Sequence, residues 1–480
     1  MCTVFINKIE LAAVDSTLRL KDITAAVLPE NLTSESVQKE IHVIDKDGVV
    51  YKNAEAILQI LDSQPFWRHV TWIGRLPIVR NILRFGYGII ANNRHFLFGG
   101  ASRIFWLRTI TVLGLASSLY LSVGLWVRVS TFPSVPALTF FPDLPVMLEG
   151  VLFGLLLGLL AVLLFVKNPR KIICAVLALM GFFIMFDQLR LQPWVYQYFC
   201  MLMVFAAYSW NWRDSVGRIN TLHTLRLLVA GIYFYSGLQK ITLPFFSSVF
   251  PWMVEPIAYL LPPSIKLLPA VFGFGVPFLE MAIGIGLLIP RYRARALFGV
   301  VLMLIFVLFT LGPLGHNWNS VVWPWNIAHA FIAILLFYRT EHFSIRDIFF
   351  VRNFLVHKII LLLFIVMPVF SFFGIWDSYP SYSLYSGNIT KAEIEWQNQN
   401  SALHEYSAYQ SSLNGTSAVL RVNNWSMGEL NVPVYPEARI YLSIFHQLCH
   451  SSIPQNSTLR IITKATLLDS RKIIEYNCSN

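Results

Sequence analysis

The stretch "PVMLEGVLFGLLLGLLAVLLFVKNPRK" (Pro145–Lys171) decides how the whole chain is read. No charged residue stands between Glu149 and Lys167. A run of this length meets the roughly 20 apolar residues that an α-helix needs to cross a bilayer. It ends on Lys167, Arg170 and Lys171, a cluster expected on the cytoplasmic flank of a span.

The rest of the chain agrees. Of its 480 residues, 56% are hydrophobic and only 13% charged, against about 25% charged in soluble domains. Mean hydropathy is +0.58. Three zones differ in composition: a mixed N-terminal zone to about residue 100, an apolar zone over 104–376, and a Ser-, Asn- and Tyr-rich zone over 377–480. The apolar zone offers about nine candidate spans by the length rule. They lie near 105–128, 145–166, 172–187, 194–210, 222–240, 267–289, 296–312, 323–338 and 357–376. A net charge of +11 then belongs to loops between spans, and nucleic acid is not an expected partner.

The loops alternate. "VKNPRK" (Val166–Lys171), "NWRDSVGR" (Asn211–Arg218), "RYRAR" (Arg291–Arg295) and Tyr338–Lys358 are basic. "DQLRLQP" (Asp187–Pro193) and "GPLGHNWNSVVW" (Gly312–Trp323) are poor in Lys and Arg. The positive-inside rule then puts the N-terminus in the cytoplasm and the C-terminus outside, and the bilayer is the first partner. The opening residues have no charged flank followed by an apolar core, so no cleavable signal peptide is expected.

The N-terminal zone reads as helix, strand, helix, hairpin, helix. "LRLKDI" (Leu18–Ile23) suits a strand, and "IHVIDKDGVVY" (Ile41–Tyr51) alternates around Asp47-Gly48, a hairpin signal. "NAEAILQIL" (Asn53–Leu61) reads as an Asn-capped helix. In the last zone, "SAVLRVN" (Ser417–Asn423) and "LRIITKATLL" (Leu459–Leu468) alternate, predicting a small β-rich domain.

Two stretches of the first zone, "EIHVIDKDGVVYKNAEAILQIL" and "YGIIANNRH" (Tyr87–His95), resemble the DCC family of thioredoxin-like proteins. The resemblance covers about the first 95 residues. It implies a thioredoxin-like fold and thiol redox chemistry at an Asp-x-x-Cys-x-x-Cys site. Here Cys2 falls where the second family cysteine would lie, and the first cysteine and first strand are absent. A dithiol exchange needs an attacking and a resolving sulfur. Cys2 is therefore read either as a redox relic or as an inert terminal thiol.

In the apolar zone, "YFYSGLQKI" (Tyr233–Ile241) is similar to the Tyr-Phe-x-x-Gly-x-x-Lys-Leu segment of HTTM-type membrane modules. Those modules are shared with vitamin K-dependent gamma-carboxylase. The resemblance implies a catalytic base at Lys240 and quinone-linked or proton-abstraction chemistry. "TLPFF" follows where that family continues with acidic residues and Trp. "PFLEMAIGIGLLI" (Pro277–Ile289) also looks like DoxX-type proteins, which carry a mid-span Glu.

Three side chains stand out as acid–base candidates. Lys240 closes its span, and two roles fit it: snorkelling to the headgroups, or serving as a base after partial desolvation. Glu280 lies mid-span, where a carboxylate normally faces a bundle interior with a partner. It is read as a proton acceptor, or as a protonated acid bonded to a neighbouring helix. His316 sits in Gly312–His329 beside Asn317, Asn319, Asn326, Trp318, Trp323 and Trp325. It can carry a proton near neutral pH, whereas Trp323 and Trp325 suit an interfacial belt. Glu149 is read as an interfacial anchor and His329 as a satisfied core histidine.

No metal-ligand spacing, Gly-rich phosphate loop or Walker sequence occurs. Cys174 and Cys200 read as core hydrophobes. Cys449 and Cys478 are expected to form a disulfide in an oxidising outer domain. Asn388, Asn414, Asn424 and Asn456 head N-x-Ser/Thr sequons that fit an exterior address.

The expected fold is mainly α. A polytopic helical membrane bundle follows an α/β thioredoxin-like remnant over 1–100 and precedes a β-rich extracytoplasmic domain. The expected function is a membrane-embedded oxidoreductase or carboxylase-like enzyme of the plasma (inner) membrane. Its outward-facing pocket would hold Lys240, Glu280 and His316. A membrane quinone is the expected cofactor class, and the substrate is lipid-soluble or a peptide. The alternative is a non-catalytic transporter or a scaffold presenting its C-terminal domain to a partner.

Overall fold

The computed structural model describes residues 42–44, 49–62, 71, 100–138, 140–211, 213–340, 342–397, 406, 408–413, 417–451 and 453–478. The chain divides into two compact units, Met1–Phe105 and Trp106–Asn480. In the first, β1 (His42–Ile44) pairs antiparallel with β2 (Val50–Lys52), with Val43 opposite Tyr51. The chain then enters α1 (Asn53–Asp62), which buries Ala56, Leu58 and Ile60. This is the expected hairpin and following helix. The expected strand at 18–23, the closing helix at 87–95 and Cys2 lie outside the described residues.

The helices of the second unit begin with α2 (Gly100–Leu121), which belongs to it from Trp106 on, then α3 (Val146–Phe165), α4 (Arg170–Phe186) and α5 (Pro193–Ala207). Next come α6 (Ser215–Gln239), α7 (Phe250–Ala258), α8 (Val276–Leu288), α9 (Arg293–Leu311) and α10 (Val322–Phe337). The final stretch, Leu355–Phe373, starts as α11 (Leu355–Leu361) and continues through a π-turn. Each of the expected apolar segments falls on one of these helices.

Fewer helices meet the length and composition of a span than the nine expected segments. Among the described residues four helices are long and apolar enough to cross a membrane: Arg103–Leu121, Val146–Phe165, Arg293–Leu311 and Leu355–Phe373. The bent pair Pro263–Phe272 and Val276–Leu288 would make five. Helix α5 has 15 residues and α10 has 16, about 23 Å of rise against a hydrocarbon core of about 30 Å. Helix α6 is long enough, with 25 residues, but every residue from Thr221 to Tyr233 is buried. A helix covered on all sides sits inside a bundle and can carry His223 and Arg226. By contrast α3 leaves Met147, Val151, Leu155 and Val162 uncovered on its outer side.

The C-terminal residues build an antiparallel sheet in the order β4-β5-β3-β6-β7. Its strands are β3 (Lys391–Gln397), β4 (Gln410–Leu413), β5 (Ser417–Arg421), β6 (Thr458–Ile462) and β7 (Ile473–Asn477). Alternation sets the faces: Leu459 and Ile461 are buried while Arg460 points out, between Glu395 at 3.0 Å and Glu475 at 2.8 Å. Helices α12 (Val422–Leu430) and α13 (Ala438–Ser451) complete this part. Ile440, Ile444 and Leu448 of α13 bury one helical face. The sheet part is tied to the helices within the same unit. Asn431 Nδ2 donates to the Leu121 carbonyl at 2.8 Å, and Gln192 Nε2 donates to Pro433 O at 3.0 Å.

Candidate functional site

The candidate site begins with a close helix contact. A Cβ on Gly237 of α6 would lie 2.5 Å from the Pro277 carbonyl oxygen and 2.8 Å from the Met281 nitrogen. One on Gly284 of α8 would lie 2.7 Å from the Phe234 nitrogen. Only glycine fits at either position, and small residues let helix backbones approach this closely in membranes. The contact brings the end of α6 against the middle of α8.

Lys240 and Glu280 meet there. Lys240 Nζ donates to Glu280 Oε2 at 2.7 Å, to Ser236 Oγ at 2.6 Å and to Ser236 O at 3.3 Å. Ser236 stands one turn before Lys240, so both project from the same face of α6. Lys240 is 8% exposed and Glu280 6%. Removing either charge from water alone is costly, and the pairing offsets much of that cost. Thr242, two residues on, donates to Ser386 O at 2.6 Å. That bond fixes the 376–390 loop beside this end of α6, a loop in which Tyr382 and Tyr385 adopt left-handed backbone.

His316 is held elsewhere. Its ring stacks on Trp252 at 4.4 Å, and its Nε2 lies 2.6 Å from Trp252 O. The contact puts the proton on Nε2. Among the described residues it makes no hydrogen bond to Lys240 or Glu280. The neighbouring asparagines have backbone roles: Asn317 and Asn319 take φ of 48° and 49°, a region Asn tolerates better than most residues. The indole N–H of Trp325 donates to Gln197 Oε1 at 2.9 Å, and that of Trp323 reaches Leu311 O at 3.2 Å. Both indole N–H groups thus have partners within the chain.

Two readings of polar residues are corrected. His329 is buried but not satisfied, because its Nε2 has no hydrogen-bond partner among the described residues. It lies beside Tyr233, ring centroids 5.1 Å apart, whose buried hydroxyl likewise lacks one. Glu149 is no interfacial anchor. It is 2% exposed, and its Oε1 accepts from Arg190 Nη2 at 2.5 Å. Arg190 is fully buried, bonds the carbonyls of Leu125 and Phe183, and stacks on Phe183 at 4.9 Å. Asp187 and Arg128 pair beside it at 2.6 Å. "DQLRLQP" therefore supplies the interior of the bundle with a cation. A surface groove of about 560 Å³ between α2 and α10, bordered by Tyr120, Trp323 and Ile327, touches none of Lys240, Glu280 and His316.

Cys449 and Cys478 are joined in a disulfide that links α13 to the end of β7. Asn388 is engaged at both ends of its amide. Nδ2 donates to Ala465 O and Oδ1 accepts from Ala465 N, each at 2.8 Å. Its sequon is a structural clamp, while Asn424 and Asn456 are exposed. Among the described residues no cluster of His, Cys, Asp and Glu is arranged to hold a metal ion.

Comparison with known proteins bears on the first unit. Residues 1–100 match the family of DCC1-like thiol-disulfide oxidoreductases. No curated protein matches the chain, and no solved structure does. Residues 1–100 are thus a DCC1-like domain, in a chain that goes on into helices of membrane-spanning length. Within that DCC1-like segment Cys2 is the sole cysteine.

Proposed function

We propose that this chain is an integral-membrane thiol-disulfide oxidoreductase. Its DCC1-like domain faces the cytoplasm and its disulfide-bearing sheet faces the exterior. The observation that carries this reading is the family match over residues 1–100, in one chain with four spans' worth of apolar helix. The alternation of basic loops supports the orientation. In this reading the Cys2 thiolate attacks a substrate disulfide. One S–S bond breaks, a mixed disulfide forms, and the leaving sulfur departs as a thiolate. A thiol from a second molecule then resolves the mixed disulfide.

The HTTM-like segment adds an acid–base element to this proposal. Proton transfer along the 2.7 Å contact between Lys240 and Glu280 yields a neutral amine and a protonated carboxyl. The net charge of the buried pair does not change. The amine can then take a proton from a bound substrate, a membrane quinol or a weak carbon acid, and Glu280 holds the proton exchanged. His316, bonded to Trp252 O, takes no part in this transfer.

A second reading is favoured by the closure of the pair. Lys240 spends its donors on Ser236 and Glu280 inside a glycine-tight helix contact. That arrangement suits a helix lock in a transporter or scaffold. The test uses purified full-length protein in lipid nanodiscs. Glutathione disulfide is expected to form a mixed disulfide that Cys2→Ser abolishes, and quinone turnover is expected to fall in Lys240→Met and Glu280→Gln. Unchanged thiol exchange in Cys2→Ser would end the redox reading. Folded Lys240→Met with full turnover would leave the lock.

A further inference from the structure

The connection between β6 and β7 ends in a tip that presents two adjacent leucines at its surface. Leu467 is 71% exposed and Leu468 73%. The tip is a built turn: Thr466 N donates to Asp469 O at 2.8 Å, and Thr463 N donates to Lys472 O at 2.9 Å. The Leu467 amide donates to Phe372 O at 2.8 Å. That bond fixes both leucines at the end of Leu355–Phe373, one of the helices of membrane-spanning length.

The uncovered face of that helix leads to the tip. Leu362, Val366, Val369, Phe370 and Phe373 are exposed at helical spacing, and Ile375 beyond them is 71% exposed. On the far side of the turn Ile473 is 65% exposed. The helix face and the two tip leucines are therefore joined at the Leu467–Phe372 bond, with Ile473 beyond the polar residues 469–472. Contiguous apolar surface of this kind marks a contact with something apolar. The charges of the turn lie beyond the leucines. Lys472 pairs with Asp469 at 2.5 Å, and Arg471 bonds Gly387 O at 3.1 Å through a single Nη. Two cations against one carboxylate leave a positive excess beside the leucines, the order in which acyl chains and lipid phosphates are met.

We infer that the β6–β7 tip is a membrane-interface anchor, with Leu467 and Leu468 among the upper acyl chains and Arg471 at the headgroup phosphates. The inference rests on the reading that Leu355–Phe373 crosses a bilayer. It goes beyond that reading by seating the sheet on the membrane surface. The occupant is lipid because the tip is bonded to the end of a helix of membrane-spanning length and adds two exposed leucines to its apolar outer face.

The test uses full-length protein carrying Cys2→Ser, Cys174→Ser and Cys200→Ser, with the native disulfide retained. Single cysteines at Leu468→Cys, Leu467→Cys, Leu362→Cys or Asn456→Cys are labelled with an environment-sensitive NBD dye. The proteins are reconstituted in phosphatidylcholine vesicles bearing nitroxides at the headgroup or deep in the chain. The tip labels are expected to emit blue-shifted and to be quenched more by shallow than by deep nitroxide. The Leu362 label is expected to favour the deep quencher. The Asn456 label, before β6 and at the other end of the strand, is expected to be quenched by aqueous iodide alone. Iodide quenching of the tip labels at the Asn456 level overturns the inference while leaving the span intact. Tip labels shielded from both quenchers also overturn it, in favour of a protein contact. Failure of the Leu362 label to meet the deep nitroxide overturns the membrane reading itself.

Discussion

Gly284 faces the backbone of Phe234 so closely that a Cβ built on it would stand 2.7 Å from the Phe234 nitrogen. The atom in the way is main chain, which cannot rotate aside as a side chain can. Gly284→Val is expected to lower stability by about 3 kcal/mol, the upper end for overpacking. Gly284→Ala should do less. Thermal unfolding in detergent, followed by circular dichroism, gives both values. A Val variant as stable as wild type would mean that α6 and α8 do not touch here.

The same contact holds the Lys240–Glu280 pair, and its energetics are asymmetric. Lys240→Met leaves a buried carboxylate alone and is expected to cost about 3–5 kcal/mol, as is Glu280→Leu. The double variant replaces both charges by apolar groups and should recover most of that loss. A double-mutant cycle of unfolding free energies measures the coupling. Additive losses would show that the two side chains do not interact.

Acid should weaken the sheet part before the helices. Burial alone would raise the Asp377 carboxyl, but hydrogen bonds from Arg439 and Tyr435 outweigh it and hold it below the usual carboxylate range. A carboxylate with a depressed native pKa contributes stability that is fully present above its unfolded value, about 3.9. That stability is lost as pH falls from there through the native value. Asp377→Asn is expected to destabilise the protein at neutral pH and to flatten the pH dependence below about 4. Unfolding midpoints across that range, with and without the substitution, check the sign.

The disulfide closes a loop between positions 29 residues apart. Chain entropy assigns such a loop about 3–4 kcal/mol. Cys449→Ser with Cys478→Ser, or reduction of wild type, should lower the unfolding midpoint of α13 and β7 by that order. Loss of protection in hydrogen exchange should be confined to α13 and the C-terminal sheet. Equal stability with the bond absent would count against the loop-entropy account.

Much of the architecture could be read from local pattern alone. Apolar runs became helices, the Asp47-Gly48 signal was flanked by paired strands, and alternation at 417–423 and 459–468 gave β5 and β6. These depend on neighbours in sequence. What resisted reading depends on residues far apart. Glu149 looks like an anchor until Arg190, 41 positions on, is seen beside it. Counting cations in loops also treats every Arg as solvated. Yet Arg293 bonds Leu287 O and stacks on Phe343 at 3.5 Å, and Arg108 bonds Val166 O. Hydropathy also cannot tell a helix that faces outward from one, like α6, that is covered by other helices. At the candidate site, residue types marked Lys240 and Glu280 but not their contact, which needs the glycines of two separate helices. Ser236, four positions before Lys240, was the one partner a helical reading could have supplied.

The separation of the buried charges also constrains how the protein is made. Lys240 leaves the ribosome 40 residues ahead of Glu280, and Glu149 precedes Arg190 by a similar distance. At roughly 5–20 residues per second, about 2–8 s pass between partners. During that interval the first member of each pair exists without the group that neutralises it in the folded chain. The first charge of each buried pair is therefore made before its complement, so neither pair can form until the later segment has been synthesised.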